Sequence, residues 1–571
     1  PGVSSSYFGP NANRPVIRGQ DGDRIRVLSN AGAALDASSL SFDHAVPIDP
    51  LVVERIEVLR GPAALLYGGS AVGGVVNAID NRIPKARIDG VSGALETRFG
   101  GPAGERAVSA LVETGGNGVA VHADAFSRRT DDLRVPAFDR PLEDGSIERR
   151  RRIANSASSA YGGALGASLI WDRGHFGAYV ETYRNDYGIV AEDDITIRMR
   201  RDKLALAGEV RIPAGFFTTL RAQAARCDYG HQEIQGDGSV GTTFKTRGSD
   251  ARAEAVHRAI PFGAGRLEGT VGLQLESSRF SALGEEAFVP STRTRQVAAF
   301  LLERWTWGER GHLSAGVRAE RVRVSSEGDV DSAEPQFGPA QERQFSPRSA
   351  SVGGVLNLGP QWQLSSNWSY TERAPTSYEL YANGVHAATS AYERGDPRQK
   401  AERGRNLDIA LGWKNGATGV KVGVFESRFG NYIALEATGE PDFVDDEGRS
   451  VPVFVFRGVR AKLYGLELEG TWRAVSGVRT VDVDAKLDLV RGSNLDSGEA
   501  LPRLAPRRAT VAVNLLQGAW TARAELQHAS AQQRVPGTDA PTAGWTLVNL
   551  SASYSLNYGK RDALLFVKLQ N

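Results

Sequence analysis

The fold of this chain is decided by residues 54–77, which read ERIEVLRGPAALLYGGSAVGGVVN. The stretch opens with a predicted strand from Glu54 to Arg60, because charged and apolar side chains alternate along it. Gly61 and Pro62 end that strand, since proline cannot donate a hydrogen bond to a neighbouring strand. Residues 1–84 as a whole mix strand-like and turn-like pieces without sustained alternation.

The glycine-rich run at residues 68–74 has the look of a phosphate-binding loop. A P-loop, however, needs a lysine followed by serine or threonine after its last glycine, and none is present. A dinucleotide site would need a βαβ unit with an acidic residue about 20 positions further on, and the alternating region begins there instead. The sequence therefore excludes nucleotide binding.

Composition removes other classes of protein. The 571 residues carry 68 basic and 67 acidic side chains, and this balance argues against nucleic acid as a partner, since phosphate binding needs a concentrated basic surface. One cysteine, Cys227, excludes an intrachain disulfide. One methionine, Met199, makes a thioether copper site improbable. No Ser/His/Asp grouping at a nucleophile elbow is present, so we do not expect an enzyme.

A different pattern begins after the linker at residues 80–85. Segments of alternating apolar and polar residues recur to the end of the chain, for example at residues 267–275, 481–489 and 548–556. No apolar run reaches the ~18–20 residues of a membrane helix. A soluble sandwich would alternate in the same way, but it rarely reaches this size without splitting into domains. Alternation favours a membrane barrel, which hides its apolar surface on every second residue.

Residues 54–77 resemble the plug signature of TonB-dependent outer-membrane receptors. Ile17-Arg18-Gly19, Arg26-Val27 and the segment at residues 43–47 fit the same plug in the expected order. The resemblance implies an all-β transmembrane barrel of about 22 antiparallel strands with an N-terminal α+β plug domain inside its lumen. We expect the plug at residues 1–84 and the barrel at residues 85–571 of a monomer in the bacterial outer membrane.

The resemblance also implies partners and missing segments. TonB, with its inner-membrane energising complex, would drive import, and outer-membrane lipid would surround the barrel. The amino-terminal half of the plug, with the TonB box, is expected to be absent, as is the final barrel strand, which usually ends in an aromatic residue. No secretory signal precedes Pro1, so we expect that it was removed or that the chain is incomplete.

Charged plug residues are expected to hold the plug in place. By resemblance we assign Arg18, Glu54, Glu57 and Arg60 to a polar network against the barrel wall. Polar pairs that face water-filled space bind without a large apolar area, so the plug could stay seated and still be displaced. Ordinary solvated charges on a strand are the alternative.

Two histidines stand apart from the other six. His44 lies in an irregular plug segment beside Asp43, and His386 lies in a loop-rich excursion from a barrel strand. Zn²⁺ accepts imidazole and carboxylate ligands from separate chain segments, about four in number. The two histidines could therefore meet at a metal site between plug and barrel. His528, in contrast, shares a face with Ala522 and Leu526 and is expected on the barrel exterior.

The motif DHAV at residues 43–46, together with ERAPTSYELYANGVH at residues 372–386, resembles the zinc-importing (ZnuD-like) subfamily of these receptors. By this resemblance Asp43, His44, Glu379 and His386 are the expected metal ligands, with Zn²⁺ as the transported ion rather than a catalytic cofactor. The segment at residues 192–194 is acidic but lacks the histidines that often gather metal in such receptors.

Two further residues are candidates of a weaker kind. His231 and Glu233 are expected to face the lumen, because Leu220, Ala222 and Ala224 mark the lipid face of the same strand. They could form a relay site for metal, but a solvated pair is the favoured interpretation. A haem or ferric-siderophore receptor of the same fold remains the alternative function, since the ERAP motif at residues 372–375 also resembles haem receptors.

Overall fold

The computed structural model describes residues 1–68, 71–141, 145–192, 194–284, 287–332, 334–444, 448, 450–559 and 561–570. Residues 69–70 of the glycine-rich run, Asp193 of the acidic segment and the terminal Asn571 lie outside the described residues. Strands make up 66% of the structure, with almost no helix. No helix within the described ranges is long and apolar enough to cross a membrane.

The plug contains short strands and single helical turns. Its strands are β1 (Val3–Ser5), β2 (Pro15–Ile17), β3 (Ile25–Ser29), β4 (Gly32–Ala33), β5 (Arg55–Leu59) and β6 (Gly74–Ile79). Its 3₁₀ turns are Gly22–Arg24, Pro50–Val52 and Pro62–Tyr67. The last four strands form one sheet in the order β4-β3-β6-β5, in which β6 lies parallel to β3 and antiparallel to β5. The signature stretch thus supplies β5 and β6, two neighbouring strands of the plug sheet.

Long antiparallel strands form the barrel wall, and the described residues contain 21 of them against about 22 expected. They are β7 (Gly90–Gly100), β8 (Glu105–Gly116), β9 (Val119–Thr130), β12 (Ser158–Trp171), β13 (Gly174–Gly188), β14 (Thr196–Arg211), β15 (Phe217–Ile234), β16 (Val240–His257), β18 (Gly265–Gly284), β19 (Thr292–Thr306), β20 (Gly311–Ser326), β22 (Arg348–Asn357), β23 (Trp362–Arg373), β26 (Glu402–Asn415), β27 (Thr418–Ala437), β30 (Val453–Val475), β31 (Arg479–Asn494), β32 (Arg508–Gln517), β33 (Trp520–Ala529), β34 (Trp545–Tyr558) and β35 (Arg561–Leu569).

Shorter elements lie in the connections between these strands. They are β10 (Arg134–Pro141), β11 (Ile147–Arg152), β17 (Ile260–Phe262), β21 (Gln341–Phe345), α1 (Ser377–Tyr381), β24 (Asn383–His386), β25 (Ala391–Arg394), β28 (Phe443–Val444) and β29 (Ser450–Val451), with 3₁₀ turns at Gly308–Arg310 and Ala387–Thr389. Connections are short at one end of the barrel, as at residues 172–173, and long at the other, as at residues 374–401. Outer-membrane barrels have short periplasmic turns and long external loops, so the second end is the extracellular one.

The predicted alternation is confirmed on the wall, with its apolar face outward. On β18, Leu273 and Leu275 are 59% and 53% exposed, whereas Gln274 between them is 2% exposed. Apolar side chains thus face the lipid and polar ones the lumen, where the plug covers them. The domain boundary at residues 84–85 stays a prediction.

Candidate metal site at the plug–barrel seam

The candidate site lies on the plug–barrel seam, where plug residues contact the lumen face of the wall near its extracellular end. An irregular plug segment, residues 34–49, connects β4 to the 3₁₀ turn Pro50–Val52 and carries His44. Hydrogen bonds from side chains help to fix the conformation of this segment. The Asp36 carboxylate accepts hydrogen bonds from both the backbone N–H and the hydroxyl of Ser38. Because this segment is not part of the plug sheet, its side chains can contact the barrel wall.

His44 is oriented by its own segment. It is 1% exposed, and its Nδ1 lies 3.0 Å from the carbonyl oxygen of Ala37. A carbonyl only accepts hydrogen bonds, so Nδ1 carries the hydrogen and Nε2 is left as the free donor atom for a metal. That Nε2 lies 3.9 Å from Oε1 of Glu233 on β15. Burial opposes protonation of the ring, but the carboxylates of Asp43 and Glu233 raise the pKa of His44 above its ordinary value.

His231 and Glu233 project from β15 against His44. They are 1% and 6% exposed, so their favoured interpretation as a solvated pair is wrong: the plug covers them. The His44 and His231 rings are 4.2 Å apart, and Phe244 stacks on His231 at 4.6 Å. Ligand atoms of the two histidines and Glu233 all lie within 4.8 Å of one another. We call these three residues the His–His–Glu cluster.

Two atoms of this cluster are buried without a hydrogen-bond partner among the residues that the structure describes. They are Nε2 of His231 and Oε2 of Glu233. The other ring nitrogen of His231, Nδ1, lies 2.9 Å from the hydroxyl of Tyr229, which fixes the orientation of the ring. Nε2 of each imidazole is therefore left for a ligand, while Nδ1 of each ring contacts the protein.

Asp43 and His386 lie at the same place. Both line a small cavity together with His44, Glu233 and Phe288, and its volume is about 10 Å³. The hydroxyl of Ser41 bonds Oδ1 of Asp43 and lies 2.7 Å from Nε2 of His386. Nδ1 of His386 lies 2.9 Å from Oε1 of Glu393, and the ring stacks on Phe288 at 4.2 Å. The plug histidine and the loop histidine thus share one cavity, as the sequence predicts.

Glu379, which the sequence analysis expects as a metal ligand, does not line this cavity. It is the third residue of the short helix α1, and its Oε2 accepts the N–H of Thr376, which caps the amino-terminal end of that helix. Both carboxylate oxygens also bond Arg373, at 2.9 and 2.8 Å. A carboxylate engaged in this way neutralises a buried guanidinium and is not available as a ligand beside His386.

The predicted charged network is present in part. Arg18 and Arg60 of the plug both bond Glu467 of β30, at 2.9 and 3.0 Å, and Arg18 also pairs with Asp408 of β26. Glu57 instead pairs with Arg55 of its own strand, and Glu54 is exposed. The two arginines therefore face the wall, and the two glutamates do not.

Sequence reasoning missed a deeply buried ion-pair network of the seam. Arg24 of the plug donates to both oxygens of Glu402, at 2.9 and 2.6 Å, and stacks on the ring of Tyr432 at 3.7 Å. Glu402 also accepts from Arg373, which in turn bonds Glu379. We call Arg24, Glu402, Arg373 and Glu379 the Arg24 network. Its plug member, Arg24, is 378 positions from Glu402, and no local pattern connects the two.

A plug domain that lies against the lumen face of a wall of long antiparallel strands defines a receptor of the plugged-barrel class. The sequence models of two families match the chain: "TonB-dependent Receptor Plug Domain" at residues 1–75 and "TonB dependent receptor-like, beta-barrel" at residues 115–571. The chain belongs to the TonB-dependent receptor family, and it is an outer-membrane protein of Gram-negative bacteria.

Characterised proteins of this family resemble the chain over different lengths. The hemin receptor of Yersinia enterocolitica is 22% identical over 553 residues, which cover 89% of this chain and 74% of the receptor. The hemin receptor of Yersinia pestis is 41% identical over 134 residues, but these cover only 23% of this chain and 18% of the receptor. Alignments with two other curated relatives, from Vibrio cholerae and Haemophilus influenzae, cover 51% and 12% of those proteins.

Solved structures show the same fold at low identity. The copper transporter OprC superposes with a TM-score of 0.80 at 17% identity, covering 97% of this chain and 85% of OprC. The ferric enterobactin receptor PfeA from Pseudomonas aeruginosa superposes with a TM-score of 0.73 at 16% identity, covering 97% and 88%. At this identity the likeness concerns the fold, so the identity of the cargo depends on the residues of this chain.

Proposed function

We propose that this receptor imports zinc ions across the outer membrane in a TonB-dependent manner and binds them at the His–His–Glu cluster. The observation that carries the proposal is that His231 Nε2 and Glu233 Oε2 are buried without a hydrogen-bond partner within the described ranges of the chain. An unsatisfied buried polar group costs about 1–3 kcal/mol, and folded proteins rarely keep one without a reason. A cation between His44, His231 and Glu233 would satisfy both atoms at once.

The donor set favours zinc among metal cargoes. Zn²⁺ takes imidazole nitrogen and carboxylate oxygen, usually in fourfold coordination. Mg²⁺ and Ca²⁺ prefer oxygen alone, and copper(I) prefers sulfur ligands. The cavity of about 10 Å³, roughly the room of one water molecule, is also far smaller than the roughly 300–1,000 Å³ of pockets that hold drug-sized ligands. A free ion therefore fits this cavity better than haem or an iron chelate.

The fourth ligand would come from the neighbouring side chains. Asp43 and His386 line the cavity, and Ser41 bonds both of them. Asp43 belongs to the plug and His386 to an external loop, so either one leaves the site divided between plug and barrel. Glu393 is suited to support His386, because a carboxylate that accepts from the second nitrogen orients a metal-binding imidazole.

A binding titration tests the proposal. The full receptor, metal-stripped in detergent, is titrated with Zn²⁺ beside the variants His44→Ala and His231→Ala. His528→Ala is the matched control, since His528 is exposed on the outer face of β33 and hydrogen-bonded to Thr546. We expect binding that the control keeps and both cluster variants lose. Wild-type receptor that does not bind Zn²⁺, or cluster variants that bind it as well as the control, would refute the assignment.

A haem receptor is the second candidate, and a relative favours it: the protein that matches 89% of this chain is a hemin receptor. The same titration separates the two candidates when hemin and Cu²⁺ are run as parallel ligands. Hemin binding that survives in His44→Ala, without Zn²⁺ binding in the wild type, would assign the haem function instead.

A further inference from the structure

Two carboxylates lie side by side on the lumen face of the wall, nearer the periplasm than the His–His–Glu cluster. Asp250 of β16 and Glu276 of β18 are direct partners across the two strands. Asp250 is 2% exposed, and the side chain of Glu276 is 17% exposed. Like charges in register destabilise a sheet, and adjacent strands are only about 4.8 Å apart. These two residues, which we call the carboxylate pair, therefore require a cation.

The plug supplies that cation. Arg26 of plug strand β3 forms an ion pair with Glu276. Burial opposes the charge of this guanidinium, but the carboxylates of Glu276, Asp250 and Glu320 raise its pKa above the ordinary value. Asp250 accepts a hydrogen bond from Gln274 at 3.1 Å, and it has no ion pair of its own within the described residues. The charge that balances the carboxylate pair therefore belongs to the plug and not to the wall.

A polar cavity of about 260 Å³ lies between Glu276 and the plug. Three buried atoms of its lining residues have no hydrogen-bond partner in the described part of the chain, and they are Nε of Arg26, Oδ2 of Asp36 and Oγ1 of Thr246. Thr246 is 5% exposed. One water occupies roughly 30 Å³ of liquid, so the cavity has room for a hydrated ion. Carboxylate and hydroxyl oxygens are ligands that hard divalent cations accept.

The carboxylate pair lies on the side of the His–His–Glu cluster that attracts a cation. Phe244, which stacks on His231, and Asp250 face the lumen on the same strand, β16. A strand rises about 3.3 Å per residue, so Asp250 lies about 20 Å closer to the periplasm. On the other side of the cluster, the lumen face of β14 instead carries Arg201 and Lys203, which are 2% and 4% exposed. A cation that moves toward the periplasm is therefore repelled by β14 and attracted along β16.

We propose that the carboxylate pair is a transit site for a divalent cation, occupied by Arg26 while the plug is seated and by the transported ion once the plug moves. Displacement of the plug withdraws the guanidinium and leaves both carboxylates without a counter-charge. A site of oxygen ligands suits zinc less well than one with imidazoles, so the ion can move on from it. That the ion is zinc rests on the proposed function, whereas the site itself does not.

The test is Mn²⁺ binding by the purified full receptor, measured by the electron paramagnetic resonance signal of free Mn²⁺. Mn²⁺ suits carboxylate and water ligands, so it reports on the carboxylate pair rather than on the two imidazoles. The variant Arg26→Gln removes the guanidinium, and Arg55→Gln makes the same charge change at an exposed ion pair of the plug. We expect Arg26→Gln to bind Mn²⁺ at least about tenfold more tightly than the wild type and the control. Adding Glu276→Gln should abolish this gain.

Further measurements cover an unstable variant and separate the two proposals. Arg26→Lys keeps a tethered cation and should bind Mn²⁺ no better than the wild type. Mn²⁺ should also raise the melting temperature of Arg26→Gln, but not that of Arg26→Gln/Glu276→Gln. Equal Mn²⁺ binding by Arg26→Gln and the wild type would overturn the inference, as would a gain that the double variant keeps. Mn²⁺ binding by Arg26→Gln in a receptor that does not bind Zn²⁺ would refute only the zinc proposal.

Discussion

Two of the buried polar clusters that join the plug to the barrel wall, the Arg24 network and the His–His–Glu cluster, differ in how completely their atoms are bonded. In the Arg24 network, both oxygens of Glu402 bond the guanidinium of Arg24, and both oxygens of Glu379 bond Arg373. In the His–His–Glu cluster, by contrast, Nε2 of His231 and Oε2 of Glu233 have no hydrogen-bond partner in the part of the chain that the structure describes. The clusters lie in the same seam and are similarly buried. Burial alone therefore does not distinguish a contact that seats the plug from one that binds a ligand.

The difference indicates separate roles. A buried ion pair whose hydrogen bonds are complete is costly to break from one side, which suits a contact that seats the plug. A buried cluster whose polar atoms lack hydrogen bonds is unfavourable until a ligand binds, which suits a contact that binds the cargo. The residues beside the two carboxylates are consistent with these roles. Glu402 pairs with arginine, which is always charged, whereas Glu233 lies beside two imidazoles.

The largest effect is expected from Glu402→Ala. It leaves Arg24 and Arg373 buried without their shared partner, and breaking a buried pair from one side costs about 3–5 kcal/mol. Hydrogen exchange of the plug amides around residues 22–24 should report a loss of opening free energy of that order. Glu57→Ala, which breaks an exposed pair with Arg55, is the control and should cost less than about 1 kcal/mol. Equal effects of the two variants would contradict a seating role for the Arg24 network.

Glu233→Gln should give the opposite pattern. It removes a ligand charge but keeps the side-chain shape, so zinc affinity should fall by more than the roughly 10–100-fold that loss of a supporting contact costs. Exchange of the plug amides in the metal-free receptor should stay close to wild type. Isothermal titration and hydrogen exchange on the same preparation measure both quantities. If Glu233→Gln increased exchange of the plug amides as much as Glu402→Ala does, the cluster would serve to seat the plug rather than to bind the ion.

Tyr229→Phe should have a smaller effect. It deletes the hydroxyl 2.9 Å from Nδ1 of His231 and leaves every proposed ligand in place. Contacts that orient a metal-binding imidazole are worth about 10–100-fold in affinity, so a titration with Zn²⁺ should show a loss in that range. An unchanged affinity would mean that the ring is oriented by its stacking on Phe244 instead.

The smallest effect on zinc is expected from Glu379→Gln. The side chain bonds Arg373 and lines a different part of the seam, so zinc affinity should stay within about twofold of wild type. A zinc titration checks this directly. A large loss of affinity would restore Glu379 as a ligand and would weaken the distinction between the two clusters.

The sequence predicted the wall well, because alternation is local and a strand has only two faces. It also predicted that His231 faces the lumen, but not that the plug covers it, since burial there depends on a segment far away in the chain. Glu379 was assigned wrongly because its direction is set by one turn of helix and by Arg373. Arg24 and Glu402 are 378 positions apart, and no spacing rule joins them. Metal binding by Asp43, His44 and His386 stays a prediction.

The division of the candidate site between two bodies has a thermodynamic consequence. Any ion held jointly by His44 of the plug and His231 of the wall stabilises the seated plug by the free energy of its binding, about 2.7 kcal/mol at a concentration 100 times Kd. Linkage is reciprocal, so displacement of the plug must weaken binding by the same factor. The bound ion would therefore help to keep the plug in the barrel, and the force that displaces the plug would also release the ion.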